Sequence, residues 1–154
     1  MKIKELDKKP GINQNKQLFI AYNQFNQILT ELAKKELTEV LVIIINNEID
    51  KINAVPDSDK KLRKQLRISQ SSILNKIEEE LKLVTKNHYR SRWLVLGMTI
   101  FGVPMGVAFG TALGNMAFLG IGLPIGMAVG MLIGSNMDKK ALEEGRQLDL
   151  EIKY

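Results

Sequence analysis

The sequence predicts an all-α fold in two dissimilar parts, and three observations carry that prediction. Apolar residues recur at Leu18, Tyr22, Phe25, Leu29 and Leu32, steps of four and three that place them on one helical face. No Asp, Glu, Lys, Arg or His occurs anywhere in residues 93–137 of this 154-residue chain. Ten of the twelve glycines fall between Gly97 and Gly134. An uncharged block of that length is about twice the roughly 20 residues that cross a bilayer once. It predicts two spans. The expected domains are residues 1–92, cytoplasmic and helical with coiled-coil character; residues 93–137, a transmembrane helical hairpin; and residues 138–154, a cytoplasmic tail.

From about Asn13 to Asn53 there is no Gly or Pro. The apolar stripe continues through Ala33, Leu37, Val40 and Ile44, then through Ile45, Ile49 and Ile52, stepping by one residue twice, so a strict heptad is not sustained. Residues 40–45 are a β-branched run with the composition of a buried strand, but the flanking periodicity favours helix. Pro56 biases Val55 away from helix, and Asp57 or Ser58 can cap the next helix. The next stripe is Leu62, Leu66, Ile73, Ile77, Leu81 and Val84, with a polar patch at residues 69–72 that reads as a local break. A helix from Ser58 to Arg92 would be a rod of about 50 Å running straight into the apolar block and pairing with the first helix as an antiparallel hairpin.

Charge is distributed unevenly. Residues 1–57 carry eight Lys or Arg against eight Asp or Glu, residues 58–92 carry ten against four, and residues 138–154 carry four against five. The surplus therefore precedes the apolar block. Lys82, Lys86, Arg90 and Arg92 stand before it, Lys139 and Lys140 after it, and its midpoint is uncharged. The positive-inside rule then places both termini in the cytoplasm. Tyr89, Arg90, Arg92, Trp93, Lys139 and Lys140 are the expected membrane-interface residues. No apolar h-region follows Met1, so no cleavable signal is expected.

Inside the block the sequence repeats every twenty residues. Gly102-Val-Pro-Met-Gly106-Val-Ala-Phe-Gly110-Thr-Ala-Leu-Gly114 aligns with Gly122-Leu-Pro-Ile-Gly126-Met-Ala-Val-Gly130-Met-Leu-Ile-Gly134. Each half reads as one span, with Gly114-Asn115 as the turn and Gly120 to Pro124 as an alternative turn. Glycine costs a helix in water about 1 kcal/mol relative to Ala. In lipid, glycine at every fourth position instead makes a groove that lets another helix approach closely. Pro104 and Pro124 each free a carbonyl and mark expected kinks.

These residues resemble the glycine-zipper segments of small bacterial membrane proteins, with tandem GxxxGxxxG on adjoining helices, over about residues 93–140. The resemblance implies tight packing in a bacterial cytoplasmic membrane and self-association through Gly102, Gly106, Gly110, Gly114, Gly122, Gly126, Gly130 and Gly134. Pore formers and anchors both occur among such proteins. The expected function is a homo-oligomer that forms or gates a pore under control of its cytoplasmic helices. The alternative is a membrane-anchored scaffold whose cytoplasmic coiled coil recruits a partner protein. A pore wall needs a polar line, and Thr99, Thr111, Asn115, Ser135 and Asn136 supply only a sparse one.

No cysteine is present, which removes thiolate chemistry and disulfides. No P-loop, HExxH, GxSxG or His cluster occurs, so no enzyme, metal or cofactor is expected, and His88 reads as a surface residue. Lys60-Lys61-Leu62-Arg63-Lys64-Gln65-Leu66-Arg67 could bind nucleic acid or anionic lipid, but no aromatic platform stands beside it and a continuous helix would hold it roughly 40 Å from the membrane, so a solvated face or a seat for an acidic protein is the expectation. In the tail, Leu148, Leu150, Ile152 and Tyr154 alternate with charge in strand fashion. A partner-sheet edge and a frayed or helical terminus both fit that pattern, and the frayed or helical terminus is the expectation.

Overall fold

The computed structural model describes residues 2–7, 9, 12–56 and 58–152. The core elements are helical: α1 (Lys16–Ala33), α2 (Glu39–Asn53), α3 (Asp59–Leu81), α4 (His88–Gly97), α5 (Val103–Ala112) and α6 (Leu119–Glu143). Two short strands, β1 (Val84–Lys86) and β2 (Gln147–Glu151), make a two-stranded sheet. The chain divides into two compact units, one of residues 1–83 and 148–154, the other of residues 84–147.

The first unit packs three helices where the sequence suggests two. The expected long helix stops at Ala33, and residues 34–38 are irregular. Thr38 then restarts it, its hydroxyl accepting from Leu41 N–H at 3.3 Å. The one-residue steps in the apolar stripe mark this interruption. Leu18, Tyr22, Phe25, Leu29 and Leu32 are buried as their spacing predicts, and the α2 face is Leu41, Ile45, Ile49 and Ile52, with Val40 exposed. The β-branched run is helical. α1 and α2 both pack on α3. Its stripe of Leu62, Leu66, Ile73 and Ile77 lies at 4% exposure or less.

Ser58 N-caps α3 without a side-chain cap bond, and Asp57 lies outside the described residues. The polar patch at 69–72 does not break α3; it faces a buried acid. Glu48 on α2 is 6% exposed, accepts from Lys51 Nζ at 2.7 Å and from Ser72 Oγ at 3.3 Å. Burial acts to raise the Glu48 pKa, but hydrogen bonds from Lys51, Ser69 and Ser72 and the Lys51 charge outweigh it and hold the carboxyl below its ordinary value. A carboxyl depressed on folding stabilises the fold above its unfolded pKa, and that contribution is lost as pH falls through the folded value. Glu48→Gln is therefore expected to flatten the loss of stability below about pH 4.5, read as denaturation midpoints at pH 7 and in the acid range.

Residues 2–7 lie extended along α2. The Asn46 side chain serves that segment as a second peptide group does in a sheet: its Oδ1 accepts from Lys4 N–H at 2.7 Å and its Nδ2 donates to Lys2 O at 3.1 Å. Two turns on, Asn53 Oδ1 accepts from Asp7 N–H at 3.1 Å, and Tyr22 Oη donates to Leu6 O at 3.2 Å. Asn46 and Asn53 are seven residues apart on α2, so one helix face reaches both ends of the extended segment.

The 50 Å rod expected from Ser58 to Arg92 is not formed. α3 ends at Leu81, Lys82 takes a left-handed conformation (φ 56°), β1 follows, and Asn87 (φ 57°) precedes α4. Val84 and Thr85 are both buried and favour strand. The tail also differs from expectation. Gly145 (φ 69°) ends the helical stretch as its position suggests, but residues 147–151 are a strand, not a frayed or helical end. Leu148 (1% exposed) and Leu150 (6%) belong to the first unit's hydrophobic core, which is why their alternation with charge is strict. Tyr154 lies outside the described residues.

Candidate membrane-spanning helix pair

The second unit holds two helices long and apolar enough to cross a membrane, His88–Ala112 with 25 residues and Met116–Glu143 with 28. At about 1.5 Å per residue either exceeds a hydrocarbon core of about 30 Å. Only 22% and 17% of their most apolar stretches are buried, whereas the core helix of a soluble protein is mostly covered. What is buried is glycine. Gly97, Gly102, Gly106, Gly110, Gly122, Gly126, Gly130 and Gly134 all face inward, while Ile100, Phe101, Val107, Phe109, Ile121 and Leu132 face outward.

The two glycine rows meet each other. A Cβ on Gly126 would stand 2.5 Å from Gly102 Cα and 2.6 Å from Gly97 O, one on Gly134 2.5 Å from Arg90 Cα, and one on Gly106 2.7 Å from Leu119 O. Backbone touches backbone along the whole face, and the partners run in opposite chain directions. The resemblance implies self-association through these rows; within this chain they pack against each other. Gly114 is not part of the row. It has φ 64° and open space around it, in the turn that Asn115 closes by accepting from Ala117 N–H at 2.9 Å. The alternative turn at residues 120–124 lies inside α6.

Gly97 takes the place expected for Gly114, and the sequence pattern hides it because it stands five residues before Gly102 rather than four. Residues Met98–Gly102 form a π-helical turn, with Val103 N–H donating to Met98 O five residues back. That extra residue returns Gly97 to the glycine face. Pro104 sits in the first turn of α5 directly after the π turn, and Pro124 lies inside α6.

The residues expected at a membrane interface gather at the end of the pair away from Gly114. Tyr89, Arg90, Arg92 and Trp93 occupy the start of α4, and Lys139 and Lys140 the last turns of α6. Between them lies a residue that the sequence marks only as the start of the tail. Asp138, 8% exposed, accepts from Tyr89 N–H at 3.0 Å and from Arg90 N–H at 2.9 Å. It therefore caps α4 from the other helix, where Asn87 makes no side-chain cap bond, and its charge faces the positive end of the α4 dipole. The usable signal is an acid abutting the apolar block among lysines. Asp138→Ala is expected to cost about 1–2 kcal/mol in detergent unfolding, with Asp138→Asn losing roughly half as much.

The sparse polar line does not assemble. Thr99 Oγ1 donates to Leu96 O and Thr111 Oγ1 to Ala108 O, both at 3.0 Å, within their own helices. Asn115 caps one end of the second span, and Ser135 and Asn136 lie near the other. His88 Nε2 is 3.2 Å from Arg92 Nη1, and among the described residues no group of three His, Cys, Asp or Glu could hold a metal ion. No protein family, curated protein or solved structure matches the chain.

Proposed function

We propose that this chain is an integral protein of a bacterial cytoplasmic membrane, in which the α4–α6 pair is a transmembrane hairpin that anchors a cytoplasmic helical domain for recruiting a partner protein. One observation carries the reading: the pair buries its glycines and turns its large apolar side chains outward. In water that arrangement exposes a continuous apolar surface; in lipid those side chains lose nothing, and close backbone contact is what holds two helices together. The clustering of Arg90, Arg92, Lys139 and Lys140 at one end and the uncharged turn at the other support a topology with both termini cytoplasmic.

The scaffold reading is preferred to the pore because the glycines, the basis for self-association, are occupied by each other. Any homo-oligomer would have to form through the outer apolar face. The absence of cysteine makes the test direct. Single cysteines at Leu113 and at Arg146, probed with a membrane-impermeant maleimide, are expected to label on opposite sides, and the protein to resist alkaline carbonate extraction. Release by carbonate, or labelling from one side at both positions, would refute the anchor. Dye leakage from liposomes carrying the intact protein would restore the pore.

A further inference from the structure

In the first unit, α1 and α3 border a groove of about 400 Å³. Ile20, 47% exposed, and Ala21 are its apolar lining, beside Gln17, Ser71 and the pair in which Gln24 Nε2 donates to Gln70 Oε1 at 3.1 Å. Arg67 stands on the α3 side. Lys64 and Lys60 lie three and seven residues before Arg67, on the same helix face. Among the described residues none of the three pairs with a carboxylate. Elsewhere on these helices Lys34, Lys51 and Lys76 each meet a Glu three residues away, at 2.5, 2.7 and 2.7 Å. Glu31, the one acid of α1, pairs with Lys34 and not with the row of Lys60, Lys64 and Arg67.

We propose that this groove docks an acidic amphipathic helix of a partner protein. The proposal rests on the scaffold reading above and names its partner's chemistry. A concave seat with Ile20 and Ala21 along one side matches the apolar stripe of a helix repeating at three and four residues, and a one-sided row of cations matches acids flanking that stripe. A flat anionic bilayer would meet the cations but would not fill a groove between two helices. A nucleic-acid strand would find no aromatic side chain lining the groove on which to stack.

The test uses the full-length protein in phosphatidylcholine vesicles, with carbonate resistance checked first so that failure of anchoring is read separately from failure of docking. A displayed library of amphipathic helices, with Glu, Gln or Lys allowed at every flanking position, is selected against it. Enrichment of Glu is expected. A selected peptide should bind at least about tenfold more weakly to Lys64→Glu/Arg67→Glu and to Ile20→Asp, and equally well to Lys139→Ala, all with wild-type helicity. Neutral or basic flanks, no enrichment, or binding indifferent to these substitutions would overturn the proposal. A dye on Gln17→Cys reports the competing occupant: a shift in its emission when phosphatidylglycerol is added without peptide would assign the groove to the membrane surface and overturn the proposal equally.

Discussion

Gly126→Leu is expected to part the two apolar helices, and Gly120→Ala to leave them together. A Cβ at position 126 would lie 2.5 Å from Gly102 Cα and 2.6 Å from Gly97 O, both backbone atoms that cannot turn aside. The helices must separate, and because the layers from Gly97 to Gly106 and from Gly122 to Gly134 are backbone against backbone, separation at one glycine opens its neighbours. Overpacking of this kind costs about 1–3 kcal/mol in ordinary cores; for the proposed membrane hairpin, with dispersion the main cohesion between helices in lipid, the cost should reach the upper end or exceed it. Gly120 has open space around it and no positive φ, so alanine there should gain up to about 1 kcal/mol of helix propensity. Gly110 faces Met116 Sδ at 3.0 Å, the movable end of a flexible side chain, and should tolerate alanine better than Gly126. Gly114→Ala meets no atom but must hold φ 64°, a strain of about 1–2 kcal/mol. Spin-label distances between cysteines at Leu96 and Leu132 follow the series. Unchanged distances in Gly126→Leu would mean that the glycine contact does not hold the pair.

How far these features are legible in the sequence depends on whether they repeat. The α1 stripe and the Gly114-Asn115 turn each rest on a pattern several residues long and lie where that pattern places them, while the twenty-residue repeat matches Gly114 with Gly134 but only Gly134 packs on the other helix. Features set by a single residue are harder to see. The interruption after Ala33 rests on the Thr38 cap and leaves only a one-residue phase slip in the apolar stripe. The end of α3 rests on left-handed Lys82, a residue type with no preference for that conformation. Leu148 and Leu150 form a strand because they fill a core whose other residues lie far earlier in the chain, and local propensity carries no information about that. Asp138 is a cap whose helix begins about fifty residues before it. Gly97 is hidden for a different reason: a strict four-residue period excludes a glycine at five, and only the π turn brings it back.

Removing a residue from the π turn is expected to do little harm. Five residues of α-helix turn about 500°, which leaves the fifth about 140° away from the first. Gly97 could not share a face with Gly102 unless the intervening turn were wider. The proline is an unsatisfactory cause for the widening, because the second half of the repeat supplies a control. Pro124 occupies the same place in Gly122-Leu-Pro-Ile-Gly126 as Pro104 in Gly102-Val-Pro-Met-Gly106, yet α6 runs as α-helix through it. What the first half alone has is the five-residue step. Deleting Ile100 makes that step four, so an unbroken α-helix would carry Gly97 and the three inward glycines after it on one face, and the pair should keep its stability to within about 1 kcal/mol. Deleting Met105 instead shortens the step from Gly102 to Gly106 to three and turns the Gly97 and Gly102 layers by about 100° away from Gly106 and Gly110, which should abolish packing as Gly126→Leu does. Pro104→Ala should leave the π turn in place. The same label distances and detergent unfolding read all three, and equal damage from the two deletions would mean that the π turn does not set the glycine register.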